Sequence, residues 1–145
     1  MKAKSARLKV VLDLAQRKEN EALAVMVKKR AYLDEQQNQL NSLSQYLTQF
    51  IQDLKISMVG VSDVNRLQSN QVFMSQVEQA IQQQEYVLGI AQKEYDLALN
   101  NWSVLHQKSK GMSDLIDRYR NVEQLQLDKR IEKQIEDDLT ARRSR

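Results

Sequence analysis

Leucine recurs at every seventh position at Leu33, Leu40, Leu47 and Leu54, and Leu12 and Met26 carry the same register back toward the N-terminus. In an α-helix a seven-residue apolar repeat keeps one narrow stripe facing a partner helix, and its mismatch with 3.6 residues per turn imposes a left-handed supercoil. The chain is therefore expected to be a rod, and its function has to be sought on helix faces. Composition agrees, since 145 residues contain no proline and only three glycines, which removes the commonest helix breaker along the whole chain. A two-helix rod buries only a thin seam, so its stability is spread along its length and its ends are expected to fray.

Written in heptads, the first helix has Leu12, Glu19, Met26, Leu33, Leu40, Leu47 and Leu54 at a, with Leu8, Ala15, Ala22, Lys29, Gln36, Leu43 and Phe50 at d. The segment SMVGVSDVN at 57–65 interrupts the pattern; Gly60 suits a left-handed helix C-cap, and Ser62 or Asp63 an N-cap for the next helix. From Leu67 the repeat resumes, with Met74, Ile81, Leu88, Tyr95, Trp102 and Ile116 at a and Val77, Gln84, Ala91, Ala98, Leu105, Met112 and Tyr119 at d. Ser109 is the polar break in the a series, and Gly111 beside it is a weak point costing about 1 kcal/mol relative to alanine.

The expected fold is all-α, a long two-helix antiparallel coiled-coil hairpin forming one domain over 1–145, with helix one about 3–57, a hairpin loop about 58–65 and helix two about 66–140. Folding about Gly60 would set Leu8 beside Met112. Helix two outlasts helix one as a C-terminal overhang, where the apolar spacing becomes Leu127, Ile131, Ile135 and Leu139, a period-four stripe that drifts around the helix.

Charge is unevenly distributed: residues 1–30 carry net +6, residues 31–100 net −5 and residues 101–145 net +2. In a hairpin both termini share one end, so that end is basic and the loop half acidic. The basic tip includes Lys2, Lys4, Arg7, Lys9, Arg142, Arg143 and Arg145, and its simplest role is to keep the rod solvated. Nucleic acid is not expected as a partner, because the tip lacks interleaved aromatics, Gly-rich loops and a basic-region zipper layout. The apolar run Val10–Leu12, broken by Asp13, is too short for a signal-peptide core, and no segment approaches 18 apolar residues, so a soluble cytoplasmic protein without membrane insertion is expected.

Chemistry is sparsely provided. His106 is the only histidine, one place after d-position Leu105, and there is no cysteine, so neither a His-based metal cluster nor a thiolate nucleophile can form within the chain. The carboxylate pairs Asp34–Glu35 and Asp137–Asp138 are expected on helix surfaces, and no phosphate-binding glycine loop or calcium loop occurs. The expectation is a protein that is not an enzyme and uses no cofactor.

Three segments carry a resemblance: QNQLNSLSQYLTQF at 37–50, QVFMSQVEQAIQQ at 71–83 and YDLALNNW at 95–102. With the chain length, the loop position and the overhang, they resemble the FliJ family of flagellar type III export. That resemblance implies a stalk that inserts its paired-termini end into the hexameric flagellar export ATPase (FliI). It also implies contact with the cytoplasmic domain of the export-gate protein (FlhA) nearer the hairpin tip, the handling of export chaperones, and a cytoplasmic location at the export apparatus on the inner membrane. The gate-facing positions map onto Gln39, Leu43, Tyr46, Phe50, Phe73, Val77, Ala80 and Gln84.

The heptads bear on that mapping independently. Leu43, Phe50, Val77 and Gln84 sit at d, and Gln39, Tyr46, Phe73 and Ala80 at g. A two-stranded seam needs only a and d, so large rings at g widen the apolar stripe into a candidate partner surface, or else cover the flank of the seam. For the ATPase end the candidates are Lys2, Lys4, Arg7, Lys9, Leu127, Arg130, Ile131 and Ile135. The isolated chain is expected to be a monomer. The alternatives are a stalk protein of a virulence injectisome, a homodimerising scaffold and a hairpin chaperone for unfolded clients.

Overall fold

The computed structural model describes residues 3–57 and 64–144, so the capping roles expected of Gly60, Ser62 and Asp63, as well as Lys2 and Arg145, lie outside the described residues. Two helices account for the rest: α1 spans Lys4–Ser57 and α2 spans Val64–Arg143, with no strand among the described residues. They pack against each other as a helical hairpin, which is the expected fold class. Contacts divide the chain into two compact units, a terminal unit of Met1–Ala22 with Asn101–Arg145 and a loop unit of Leu23–Asn100.

Within each unit the pairing is antiparallel. In the terminal unit Ser5 meets Glu123 and Glu19 meets His106, while in the loop unit Lys29 meets Glu94 and Gln36 meets Gln84. Every a and d position of α1 from Leu8 to Leu54 is buried or half-buried, as the leucine ladder requires. In α2 the same holds from Met74 to Tyr119, with Ala91 and Ile116 nearly sealed at 1% and 2% exposure. The loop unit departs from a strict a/d seam on one side: the g residues Phe73, Ala80, Val87 and Glu94 of α2 are half-buried too.

The polar residues at a and d positions find partners across the seam. Glu19 at a bonds His106 at 2.6 Å, and the Gln84 amide donates to both the side-chain oxygen and the carbonyl of Gln36, at 2.8 and 3.0 Å. Lys29 donates to Glu94 at 3.0 Å, but both side chains are more than two-fifths exposed, so this pair contributes only about 0–1 kcal/mol. Polar layers of this kind stabilise little and instead penalise other registers, because any slip leaves them buried against leucine.

The start of α1 is capped from α2. No acidic residue stands in its first turn, and the Glu123 carboxylate accepts the Ser5 hydroxyl at 2.7 Å and the Ser5 amide at 3.3 Å. An anion there satisfies an orphan amide and faces the positive end of the helix dipole. A strict fold about Gly60 would set Ser5 beside residue 115 and Leu8 beside Met112, whereas Ser5 meets Glu123, about two turns further on. The strict fold holds at Gln36–Gln84, and the α2 partner falls three residues further on at Lys29–Glu94 and five further on at Glu19–His106, so the offset grows with distance from the loop.

Candidate partner-binding surfaces

In the loop unit the aromatic g positions form a cluster. Tyr46 meets Phe73 edge-on with ring centroids 6.1 Å apart, and Phe73 leans on Phe50 at 4.8 Å. Such ring pairs contribute about 0.5–1.5 kcal/mol each beyond the area they bury. The spacing explains the cluster: Phe50 points into the seam from d, Phe73 reaches over it from g, and Tyr46 stays at the rim, 53% exposed.

The eight residues mapped to the export gate thus divide by exposure. Gln39 and Tyr46 are exposed, Leu43, Phe50, Phe73 and Ala80 are half-buried, and Val77 is buried at 8%. The half-buried Gln84 directs its amide to Gln36, so it orients the seam beside this surface. Gln39 and Leu43 also line a shallow groove along α1 together with Asn38 and Ser42.

In the terminal unit the seam closes at the Ser5–Glu123 layer, and every described residue from Gln124 to Ser144 is exposed. This overhang is helical without a partner helix, held partly by glutamine-to-aspartate bonds one turn apart, Gln124–Asp128 at 3.0 Å and Gln134–Asp138 at 3.3 Å. Leu127, Ile131, Ile135 and Leu139 are each about half exposed (49–53%), leaving an apolar stripe open to solvent. Of the basic residues mapped to the ATPase, Arg7, Lys9 and Arg130 are exposed, and Lys4 lies 5.6 Å from the centre of the Tyr119 ring. That contact extends the Lys4 stem along α2, so its charge belongs to the same surface as the start of the overhang.

One constellation was not anticipated from the sequence. His106 stacks on Trp102 at 4.9 Å and 16° while bonding Glu19, and Ser109, at 5% exposure, supplies a second hydrogen bond to the same carboxylate. The bonds from His106 and then Ser109 hold the Glu19 carboxyl below its ordinary range, against a smaller opposing effect of burial. The signal was present as two polar exceptions, Glu19 and Ser109, in the a series of the two helices. Only their placement at one level turns two apparent defects into one layer.

Two long helices paired along a heptad seam define a coiled-coil hairpin. A family model described as the flagellar FliJ protein matches residues 4–145, and the chain belongs to that family, whose members are non-catalytic components of flagellar type III export. The search of curated proteins returned no match. Among the described residues no helix is long and apolar enough to cross a membrane.

Proposed function

We propose that this chain is a central-stalk and coupling protein of flagellar export that binds two partners through separate surfaces. The terminal unit engages the hexameric export ATPase, with Lys4, Arg7, Lys9 and Arg130, together with Lys2, steering approach, and Leu127, Ile131 and Ile135 supplying apolar contact. The loop unit engages the cytoplasmic domain of the export-gate protein through Tyr46, Phe50 and Phe73, framed by Gln39, Leu43 and Ala80, while Val77 and Gln84 hold the seam beneath. The chain acts in the cytoplasm at the inner-membrane face of the export apparatus, and export chaperones are a third class of partner.

The observation that carries this reading is apolar surface left outside the seam: the rings at g in the loop unit, and a stripe with no partner helix in the overhang. Apolar area of that kind is retained where another molecule covers it. Pull-downs against the ATPase and the gate domain test both assignments. Tyr46→Ala with Phe73→Ala removes gate binding and leaves ATPase binding and helicity intact, and deletion of 126–145 removes stimulation of the ATPase. Equal loss of both partners in the first variant, or unchanged stimulation in the second, refutes the corresponding assignment.

A further inference from the structure

We infer that the loop unit carries a second docking groove, distinct from the aromatic cluster, which takes an amphipathic helix of a partner protein with acidic residues along one edge. Its floor is formed by Val25 and Tyr32 of α1 and Val87 and Ile90 of α2. Val25, Tyr32 and Ile90 remain 42–50% exposed. None of these residues belongs to the surfaces assigned to the export gate or the ATPase.

The pattern of the two flanks sets the shape of the occupant. On the e side, α1 presents Arg30, Gln37 and Ser44 and α2 presents Glu78, Glu85 and Gln92, a polar flank whose apolar exceptions, Leu23 and Ile51 of α1 and Leu99 of α2, stand at its ends. On the g side, α1 presents Val25 and Tyr32 and α2 presents Ala80 and Val87. Apolar residues at a, d and one flank form the wider stripe of a helix with more than one neighbour. A trough between two antiparallel helices, with ridges at seven-residue spacing, fits a third helix lying along it.

Charge selects the chemistry of that helix. Lys28, Lys29 and Arg30 form a basic run, but two of the three are already partnered. Lys29 bonds Glu94 at 3.0 Å, and Arg30 pairs with Asp34 at 3.4 Å and lies 5.3 Å from the centre of the Tyr95 ring. Lys28 has no ion pair among the described residues, and it stands on the groove's rim. The rim therefore carries one uncompensated positive charge above an apolar floor, which suits an apolar helix edged with carboxylates and disfavours one edged with lysine.

Two synthetic helical peptides of equal length test the inference, one with leucine at a and d and glutamate on its flanks, the other with lysine on its flanks. Binding of each labelled peptide to the full chain is read by fluorescence anisotropy at physiological salt. The glutamate-edged peptide binds saturably and about tenfold more tightly than its lysine counterpart, and Lys28→Glu reverses that preference. Val25→Asp with Ile90→Asp abolishes binding at unchanged far-UV helicity, and Tyr46→Ala leaves it unchanged, so the result stands apart from the gate assignment. Equal binding of the two peptides, or insensitivity to the aspartate pair, overturns the inference, as does sensitivity to Tyr46→Ala. Self-association of the chain that the aspartate pair removes also overturns it, assigning the groove to a second copy.

Discussion

The Gln36–Gln84 layer offers the sharpest test of how this hairpin is held in register. Gln36 is 7% exposed at a d position, and its side-chain oxygen and carbonyl both accept from the Gln84 amide, at 2.8 and 3.0 Å. Replacing Gln84 alone by leucine removes both bonds and strands a buried amide, at a cost of about 1–3 kcal/mol. The new leucine is only half-buried and returns about 1 kcal/mol, so the single variant is less stable by roughly 1 kcal/mol.

Replacing both glutamines by leucine changes the sign. Two hydrogen bonds with a net worth of about 1 kcal/mol each are lost, while leucine contributes about 1.5 kcal/mol at the buried position 36 and about 1 kcal/mol at the half-buried position 84, so the double variant is more stable than wild type by about 0.5 kcal/mol. Urea unfolding followed by circular dichroism at 222 nm measures all three proteins and the Gln36→Leu single variant, closing a double-mutant cycle. Because the chain has no cysteine, spin labels at introduced Cys residues replacing Asn41 and Gln79 report the register directly. The double variant gains stability and broadens the distance distribution, since the layer that penalised slipped pairings has gone. A Gln84→Leu variant as stable as the double, or an unbroadened distribution, refutes the register role.

Three further outcomes follow from named residues. Because Glu19 is held below its usual carboxylate range by His106 and Ser109, its contribution to stability is complete above its unfolded pKa of about 4.5 and is lost as pH falls through its lower folded value; the melting-temperature gap between wild type and Glu19→Gln is therefore full at neutral pH and closes in acid. An added Cβ at Gly89 or Gly111 meets nothing within 4 Å, so Gly89→Ala and Gly111→Ala each raise unfolding stability by about 0.5–1 kcal/mol in urea titrations. Glu123→Ala uncaps α1 and costs about 1 kcal/mol, with faster amide hydrogen exchange at the start of α1 and unchanged protection near Leu33.

The export-gate candidates show how far a sequence pattern reaches in a coiled coil. The d and g positions of Leu43, Tyr46, Phe50 and Phe73 are legible from spacing alone, since the heptad assigns each residue an angle around its helix. What spacing does not reveal is the difference between Tyr46, left at the rim, and Phe73, drawn half into the seam, because that depends on the helix opposite. Gln84 has a similar history: the pattern places it at d beside the gate surface, and the structure gives its amide a partner in Gln36.

The repeat determined by itself that the chain is helical, which residues face inward, and where the apolar stripe loses its heptad spacing, because helix period and side-chain hydrophobicity are local properties. Tertiary structure alone decided the register, the joining of Glu19 with His106 and Ser109, the trans cap of Glu123 on α1 and the apolar groove beside Lys28. Each of these depends on which residue of α2 arrives opposite a given residue of α1. Many registers bury leucine on leucine about equally well, and it is the pairing of the polar exceptions that singles out one.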